Sequence, residues 1–448
     1  MAKKKKAKSK VARRKKGKKT VVISISGALI LAVSLCVALI FALKDKTNDS
    51  STSESRSSST SSSDTSLGPT ESDEISFHFI EEDLQNSGDV IYVKAGDNDI
   101  LIDGGAKKAV AATAKKYIDD YVTDGKFEYV FVTHAHEDHL SGLVGKSLSN
   151  GSRDGLLYTY KVDNIIDFSY FMSSKVTVDN SYAHTLSEDE TNKSTEIYQD
   201  YLVARERLVE SGSVHHIAKE LTQKGSNWTV SLGKNLSVTL LYQFYYDHTR
   251  SETKSLDNSY AVSGFSDQND CSLALLFKQG EKQFLFTGDS ETYAERSIAE
   301  SNPELGQVEL FKAGHHGSMT ANTDKLLSVI KPKAVVASCV AGNCEFNQTS
   351  KETTFPGQAT IDRISVYTDR FYVTTEGSFT DKSYHTPLNG NVVFKYDKDG
   401  NETVTCSASD KILKETSWFA NNRTMPEAWK SETEMAHIWI RDEEENAE

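Results

Sequence analysis

One six-residue segment, His134-Ala135-His136-Glu137-Asp138-His139, limits what this chain can fold into more than any other feature. It follows a compact run rich in β-formers, Phe127–Thr133, and crowds imidazoles and the Asp138 carboxylate together at the end of that strand. Imidazole nitrogen and carboxylate oxygen suit Zn²⁺ and its borderline relatives. A tight turn at a strand end can aim alternate residues at two centres. His134 and His136 are therefore read as ligands of one ion, Asp138 and His139 as ligands of a second. Open α/β sheets carry their ligand sites at such strand ends, so the segment asks for a sheet whose edge presents it.

Two later segments have the same placement. Phe286-Thr287-Gly288-Asp289 ends an apolar strand with a carboxylate, and Lys312-Ala313-Gly314-His315-His316-Gly317-Ser318 ends the next with two imidazoles between small residues. Alone, the first reads equally as a helix cap and the second as a surface turn. Their order behind the first cluster makes them its partners. Around them, Ile75–Ile80, Asp89–Lys94, Asp99–Asp103, Leu236–Tyr242, Ser272–Lys278 and Lys282–Thr287 have strand patterns. Lys107–Thr123 has helical spacing. Helices at Glu291–Ser301, Ala321–Ile330 and Gln358–Ile364 then alternate with strands at Val308–Lys312, Lys333–Ser338 and Arg370–Thr374. A helix around Ile197–Leu208 lies in an otherwise unassigned insert, 152–226. Two strand blocks, each followed by helices, predict a layered α/β sandwich. Asn389–Cys406 reads as a hairpin, followed by a tail with Trp418, Phe419, Trp429 and Trp439 that docks on the body.

The order Leu101-Ile102-Asp103-Gly104-Gly105, Thr133 to His139, Phe286 to Asp289 and Gly314 to Ser318 resembles the metallo-β-lactamase superfamily. Within it, the pattern is similar to the hydrolase domain at the C-terminus of ComEC-type DNA-uptake proteins, over residues 75–375. The resemblance implies an αββα sandwich with two divalent metal ions at one edge of its sheets, zinc first, manganese or iron as alternatives. It puts His134 and His136 on the first ion and Asp138, His139 and His315 on the second. Asp289 would bridge them, with Asp103 supporting the site through hydrogen bonds. Three departures stand out. The superfamily often gives the first ion a third imidazole, but that zone reads Gln268-Asn269-Asp270-Cys271-Ser272-Leu273 here, leaving Asn269, Asp270 or water. His184, His215, His216 and His248 read as surface residues. Phe355-Pro356 stands where the ComEC-type branch tends to have His-Pro, and His136 where it often has Asp.

Ahead of this body, residues 1–19 hold twelve Lys and Arg and no acid, and 20–43 are uncharged and apolar. That run is long enough to span a bilayer, for which a helix needs about 20 residues. The cationic excess before it places the N-terminus in the cytoplasm and the body outside, a single-pass membrane protein. Cleavage near Ala42 and secretion is the alternative. Residues 44–74 are a Ser-rich disordered linker. Residues 75–380 form the expected hydrolase domain and 381–448 the hairpin and aromatic tail.

The whole chain carries −13 and its basic block +12, so the remainder carries −25. A body that acidic repels polyanions and disfavours extended nucleic-acid binding. A small phosphodiester, nucleotide or wall-polymer fragment fits better, and the expected reaction is metal-dependent phosphate-ester hydrolysis. Asp138 is the candidate for orienting the attacking hydroxide and His316 for general acid or substrate contact, or equally for a structural imidazole donating to a carbonyl, with Ser318 and Lys312 as lesser substrate contacts. β-Lactam or lactone hydrolysis is the rival chemistry, and a binding or sensing module on a degenerate hydrolase fold the rival class. Cys339 and Cys344 are close enough in sequence to pair outside the cytoplasm, or to remain free thiols.

Overall fold

The computed structural model describes residues 72–172, 177–179, 195–247, 268–345 and 348–430. The basic block, the apolar run 20–43 and linker residues 44–71 lie outside them, as do His184, His248 and Trp439. Among the described residues no helix is long and apolar enough to cross a membrane.

Numbered along the chain, the first sheet contains β1 (Ile75–Phe79), β2 (Ile91–Ala95), β3 (Asn98–Ile102), β4 (Lys126–Val132) and β5 (Lys161–Asp167). A small hairpin of β6 (Tyr170–Met172) and β7 (Thr177–Asp179) follows, and β8 (Val214–Ile217) returns to that sheet. The second sheet contains β9 (Trp228–Gly233), β10 (Leu236–Leu241), β11 (Ala274–Gln279), β12 (Lys282–Phe286), β13 (Leu310–Lys312), β14 (Val335–Ala341), β15 (Phe371–Gly377) and β16 (His385–Pro387). The chain then goes back to the first sheet for β17 (Val392–Tyr396) and β18 (Glu402–Cys406). Spatial order is β18-β17-β1-β2-β3-β4-β5-β8 in one sheet and β16-β15-β14-β13-β12-β11-β10-β9 in the other. Strands β3 to β5 and β8 run parallel, as do β12 to β15. Parallel strands covered on both faces read as continuous apolar runs, and every residue of β14 is buried.

The layers follow from where the apolar side chains go. Phe77, Ile100, Ile102 and Phe131 of the first sheet meet Val238, Phe277, Phe284 and Phe286 of the second between the sheets. The Phe77 ring lies 4.8 Å from Phe284 and 5.2 Å from Phe286. Helices α1 (Val110–Ile118), α2 (Glu137–Val144) and α3 (Glu196–Glu210) pack on the outer face of the first sheet. Helices α4 (Thr292–Ser301), α5 (Asp324–Ile330) and α6 (Gln358–Ser365) cover the second. This is the expected helix–sheet–sheet–helix sandwich.

Two expectations need correction, and one open alternative is decided. The boundary at 380 is not a structural one. β17 pairs residue for residue with β1, from Ile75↔Tyr396 to Phe79↔Val392, and Trp418, Phe419 and Trp429 pack into the core outside the second sheet. The insert 152–226 supplies β5, β8 and α3. Its strands escaped notice because β5 interleaves Lys161, Asp163 and Asn164 with apolar residues and β8 reads Val-His-His-Ile. Cys339 and Cys344 are both free thiols.

Candidate metal centre

The hexad sits where β4 hands over to α2. His136 is the N-cap residue, and Asp138 and His139 fall in the first turn, where a carboxylate is favoured by the helix dipole. His134 and His139 are fully buried, with ring centroids 4.2 Å apart, and His136 lies 4.7 Å from His134. Asp103, just past β3, orients this loop. It accepts hydrogen bonds from Thr133 N (2.8 Å), Thr133 Oγ1 (2.6 Å) and His139 Nδ1 (2.8 Å). A carboxylate on one ring nitrogen fixes the tautomer and aims the other nitrogen at an ion.

The opposite sheet brings Asp289. Gly288 before it is left-handed (φ 53°), and a Cβ there would stand 2.8 Å from Thr133 Cβ, so the two loops meet at this glycine. Asp289 N donates to Ser272 Oγ (3.1 Å). Its Oδ2 is the focus of the site, with His139 Nε2 at 3.1 Å, His316 Nε2 at 3.4 Å, His134 Nε2 at 3.9 Å and His315 Nε2 at 4.0 Å. Oδ1 faces the ammonium of Lys312 at 3.4 Å. Lys312 is buried, ion-paired with Asp89, and donates to Gly288 O (3.0 Å). It is therefore a structural counter-charge, and its expected contact with substrate is not what the fold allows. Asp89 was missed by sequence reasoning. A carboxylate just before an apolar strand, Asp89-Val90-Ile91, is too common to single out.

The two adjacent histidines take different places from those expected. Asp138, His139, Asp289 and His316 form one group of ligand atoms close enough to share an ion. His316 is fully buried, its Nδ1 donates to Ser338 O (2.9 Å), and its Nε2 lies 3.3 Å from Asp138 Oδ2. It takes the position expected for His315, and with both nitrogens committed it is not free to act as general acid. His315 lies toward the surface with Nδ1 2.9 Å from Glu291 Oε1. The cause is the backbone: both residues are left-handed, with φ 48° and 55°, which splays neighbouring rings in a way that spacing alone does not reveal. Of the other histidines, His215 pairs with Asp167 at 2.9 Å and His216 is partly exposed, both apart from this group.

The electrostatics suit cations. Burial opposes charge on Asp289, but His316, His139 and Lys312 outweigh it and hold its carboxyl well below the usual range. Burial lowers His316, yet Asp289 and Asp89 raise it to about 10. His134 is pushed down, by burial first and then by His139 and His136. His134 Nε2, His139 Nε2 and Asp289 Oδ2 are buried without a hydrogen bond of good geometry. Such atoms are costly unless something coordinates them. Asp89, Asp289 and Asp103 act on the ammonium of Lys312, the one buried lysine among the described residues. Divalent cations would offset the negative charge of these carboxylates. The residues present thus fit a two-ion centre.

Residues 85–145 match the model of the Metallo-beta-lactamase superfamily, a stretch holding Asp89, Asp103 and the whole hexad. Over 70 residues the chain is 34% identical to Recombination protein 2 of Haemophilus influenzae, spanning 16% of this chain and 8% of that protein. Among solved structures it is similar to the metallo-beta-lactamase fold protein YhfI from Bacillus subtilis, at 9% identity and TM-score 0.34, covering 70% of this chain and 99% of that one. It is also similar to the short form of human tRNase Z, at 9% identity and TM-score 0.33, with the same coverage of 70% and 99%. The matched segment and the two-sheet architecture support a metallo-β-lactamase superfamily fold, and the assignment of each side chain rests on the distances above.

Proposed function

We propose that this chain is a metal-dependent hydrolase of phosphodiester or related phosphate-ester bonds, anchored through residues 20–43 with its folded body outside the cell membrane. What carries this reading is the convergence of four imidazoles on Asp289 Oδ2 beside an open cleft. The cleft, about 320 Å³, is lined by Ser87, Lys107, Asp138, Asn343, Glu345 and Lys382 among others. Two divalent ions, when bound, lower the pKa of a shared water and polarise a phosphoryl oxygen. The chain's own residues do the rest. Asp138, partly exposed (15%) at the cleft, orients the attacking water. Asp103 holds His139, and Lys312 fixes Asp289 by its outer oxygen. Phe355, its ring 5.7 Å from His315 and 5.8 Å from His316, walls the site from solvent. Lys382 puts a cationic group at this cleft, where Lys107 is paired with Glu137 at 3.1 Å.

The size of the cleft favours a small substrate or the end of a polymer, since pockets for single small ligands run from about 300 to 1,000 Å³. The −25 of the chain outside its basic block argues the same way. The test is a panel on the full chain: a bis-aryl phosphate, single-stranded DNA, a cephalosporin and a lactone, each with wild type and Asp138→Ala. The bis-aryl phosphate should be turned over by wild type and at least about 100-fold more slowly by the variant. Equal rates would remove Asp138 from the mechanism. Turnover of cephalosporin or lactone alone would reassign the substrate class, and bound metal with no turnover would favour the sensing role. For the anchor, protease added to intact cells should release the body through the Ser-rich linker; resistance would contradict an external body.

A further inference from the structure

We propose that His315 is the third imidazole of the first metal ion, held in place by Glu291. The inference rests on the two-ion reading of this site and completes it. His134 and His136 leave one position on that ion unfilled. Asp270 is already committed, because its Oδ1 accepts from Ala294 N (3.3 Å) in the first turn of α4. His316 is committed to Asp138 and to Ser338 O. His315 Nε2, in contrast, lies 4.0 Å from Asp289 Oδ2, matching the 3.9 Å of His134 Nε2. Donors at about 2.0–2.2 Å from one zinc ion stand at most about 4 Å apart, so each of the two imidazoles approaches Asp289 Oδ2 at a distance that two donors to one ion can have.

The support behind His315 has the form of a ligand's. Its Nδ1 faces Glu291 Oε1 at 2.9 Å, and Glu291 is itself held by Thr320 Oγ1, which donates at 2.8 Å. A carboxylate on the far nitrogen of a ligating imidazole fixes its tautomer and raises its basicity. Asp103 holds Nδ1 of His139 by a hydrogen bond, and Glu291 stands at ion-pair distance from the same atom of His315. The backbone adds a second, independent observation. Two consecutive non-glycine residues in the left-handed region, each costing on the order of 1–3 kcal/mol, persist where the surroundings enforce them, and such strain clusters at functional sites. Here the strain separates adjacent rings, with centroids 6.0 Å apart and planes at 61°, so that each reaches Asp289 Oδ2 from its own direction. The first ion would then be held by His134, His136, His315 and Asp289, the second by Asp138, His139, His316 and Asp289. The third imidazole would come from the loop after the bridging carboxylate, and not from the segment before it.

The test is metal binding by the full chain, stripped and retitrated with Zn²⁺ by equilibrium dialysis and with Co²⁺ by visible absorption. Wild type should take up two ions. His315→Ala should keep one at nearly wild-type affinity and weaken the other at least about tenfold, with loss of part of the Co²⁺ spectrum. Glu291→Gln should weaken the same ion about 10- to 100-fold. Asn269 is the rival ligand: its Oδ1 is buried without a hydrogen bond and its Nδ2 donates to Glu291 Oε1 at 3.4 Å. Asn269→Ala should leave both ions in place. Circular dichroism and melting check folding, and if His315→Ala does not fold, His315→Gln and Glu291→Gln carry the test. Two tight ions in His315→Ala, or loss of the first ion in Asn269→Ala, would overturn the role of His315 alone. A single ion in wild type would overturn the two-ion centre itself.

Discussion

The two loops that supply the imidazoles reach one carboxylate by opposite routes. The loop after β4 runs into a helix with ordinary backbone: His136 caps α2 at φ −74° and ψ 156°, and Asp138 and His139 follow in its first turn. The loop after β13 bends through two left-handed histidines and needs buried props. Gly314 N donates to Asn322 Oδ1 (2.8 Å) and Asn322 Nδ2 to Gly314 O (2.9 Å), while Asn322 N and Thr323 N donate to the buried Glu295. Where the backbone is regular, spacing tells which way a side chain points. Where strain sets the direction, it does not, and the family resemblance assigned to His315 the ion that His316 faces.

The comparison breaks most severely at the residue both loops share. Asp289→Ala should cost both ions and lower hydrolysis by about 1,000-fold or more, read from metal content and initial rates. One ion kept at full affinity would mean that a single loop suffices. Lys312→Met leaves Asp89 and Asp289 without their buried cation, and breaking such a pair costs roughly 3–5 kcal/mol. Denaturant unfolding of the metal-free chain measures it; a loss below about 1 kcal/mol would show that Lys312 is not the counter-charge.

The props of the strained loop give a pH signature. Burial raises the Glu295 carboxyl from 4.5 to about 7, against hydrogen bonds from Thr323 and Asn322 that lower it. The folded state therefore binds that proton more tightly than the unfolded one. Stability from this group is full below pH 4.5 and is lost as pH rises through about 7, by about 3 kcal/mol. Melting temperatures of wild type and Glu295→Gln across that window should show the slope reduced in the variant; parallel curves would contradict it. On the regular loop, Asp103→Ala frees His139 Nδ1 and should weaken the second ion about 10- to 100-fold with little change of fold. Unchanged Zn²⁺ affinity would show that helix geometry alone aims His139.

Legibility in the sequence followed the same division. The hexad and Asp289 could be read because each ends a compact apolar strand, and the sandwich because strands and helices alternate around them. Asp89 and Lys312 could not. A lone Lys at a strand end ordinarily reaches water, and its burial here depends on carboxylates 23 residues back at Asp289 and in a distant loop at Asp89. β17 was recognised as a strand but not as the partner of β1, since an exposed edge far away in sequence leaves no local mark. The Ser-rich linker and the apolar run before it were read from composition alone, and their role as tether and anchor is left to the protease experiment.

The central claim is that two ions share Asp289, each served by its own set of imidazoles. Native mass spectrometry of the full chain, reloaded with Zn²⁺, tests it most directly in wild type, His136→Ala and Asp138→Ala. Two ions in wild type and one in each variant are predicted. A single ion or none in wild type, or two in both variants, would contradict it.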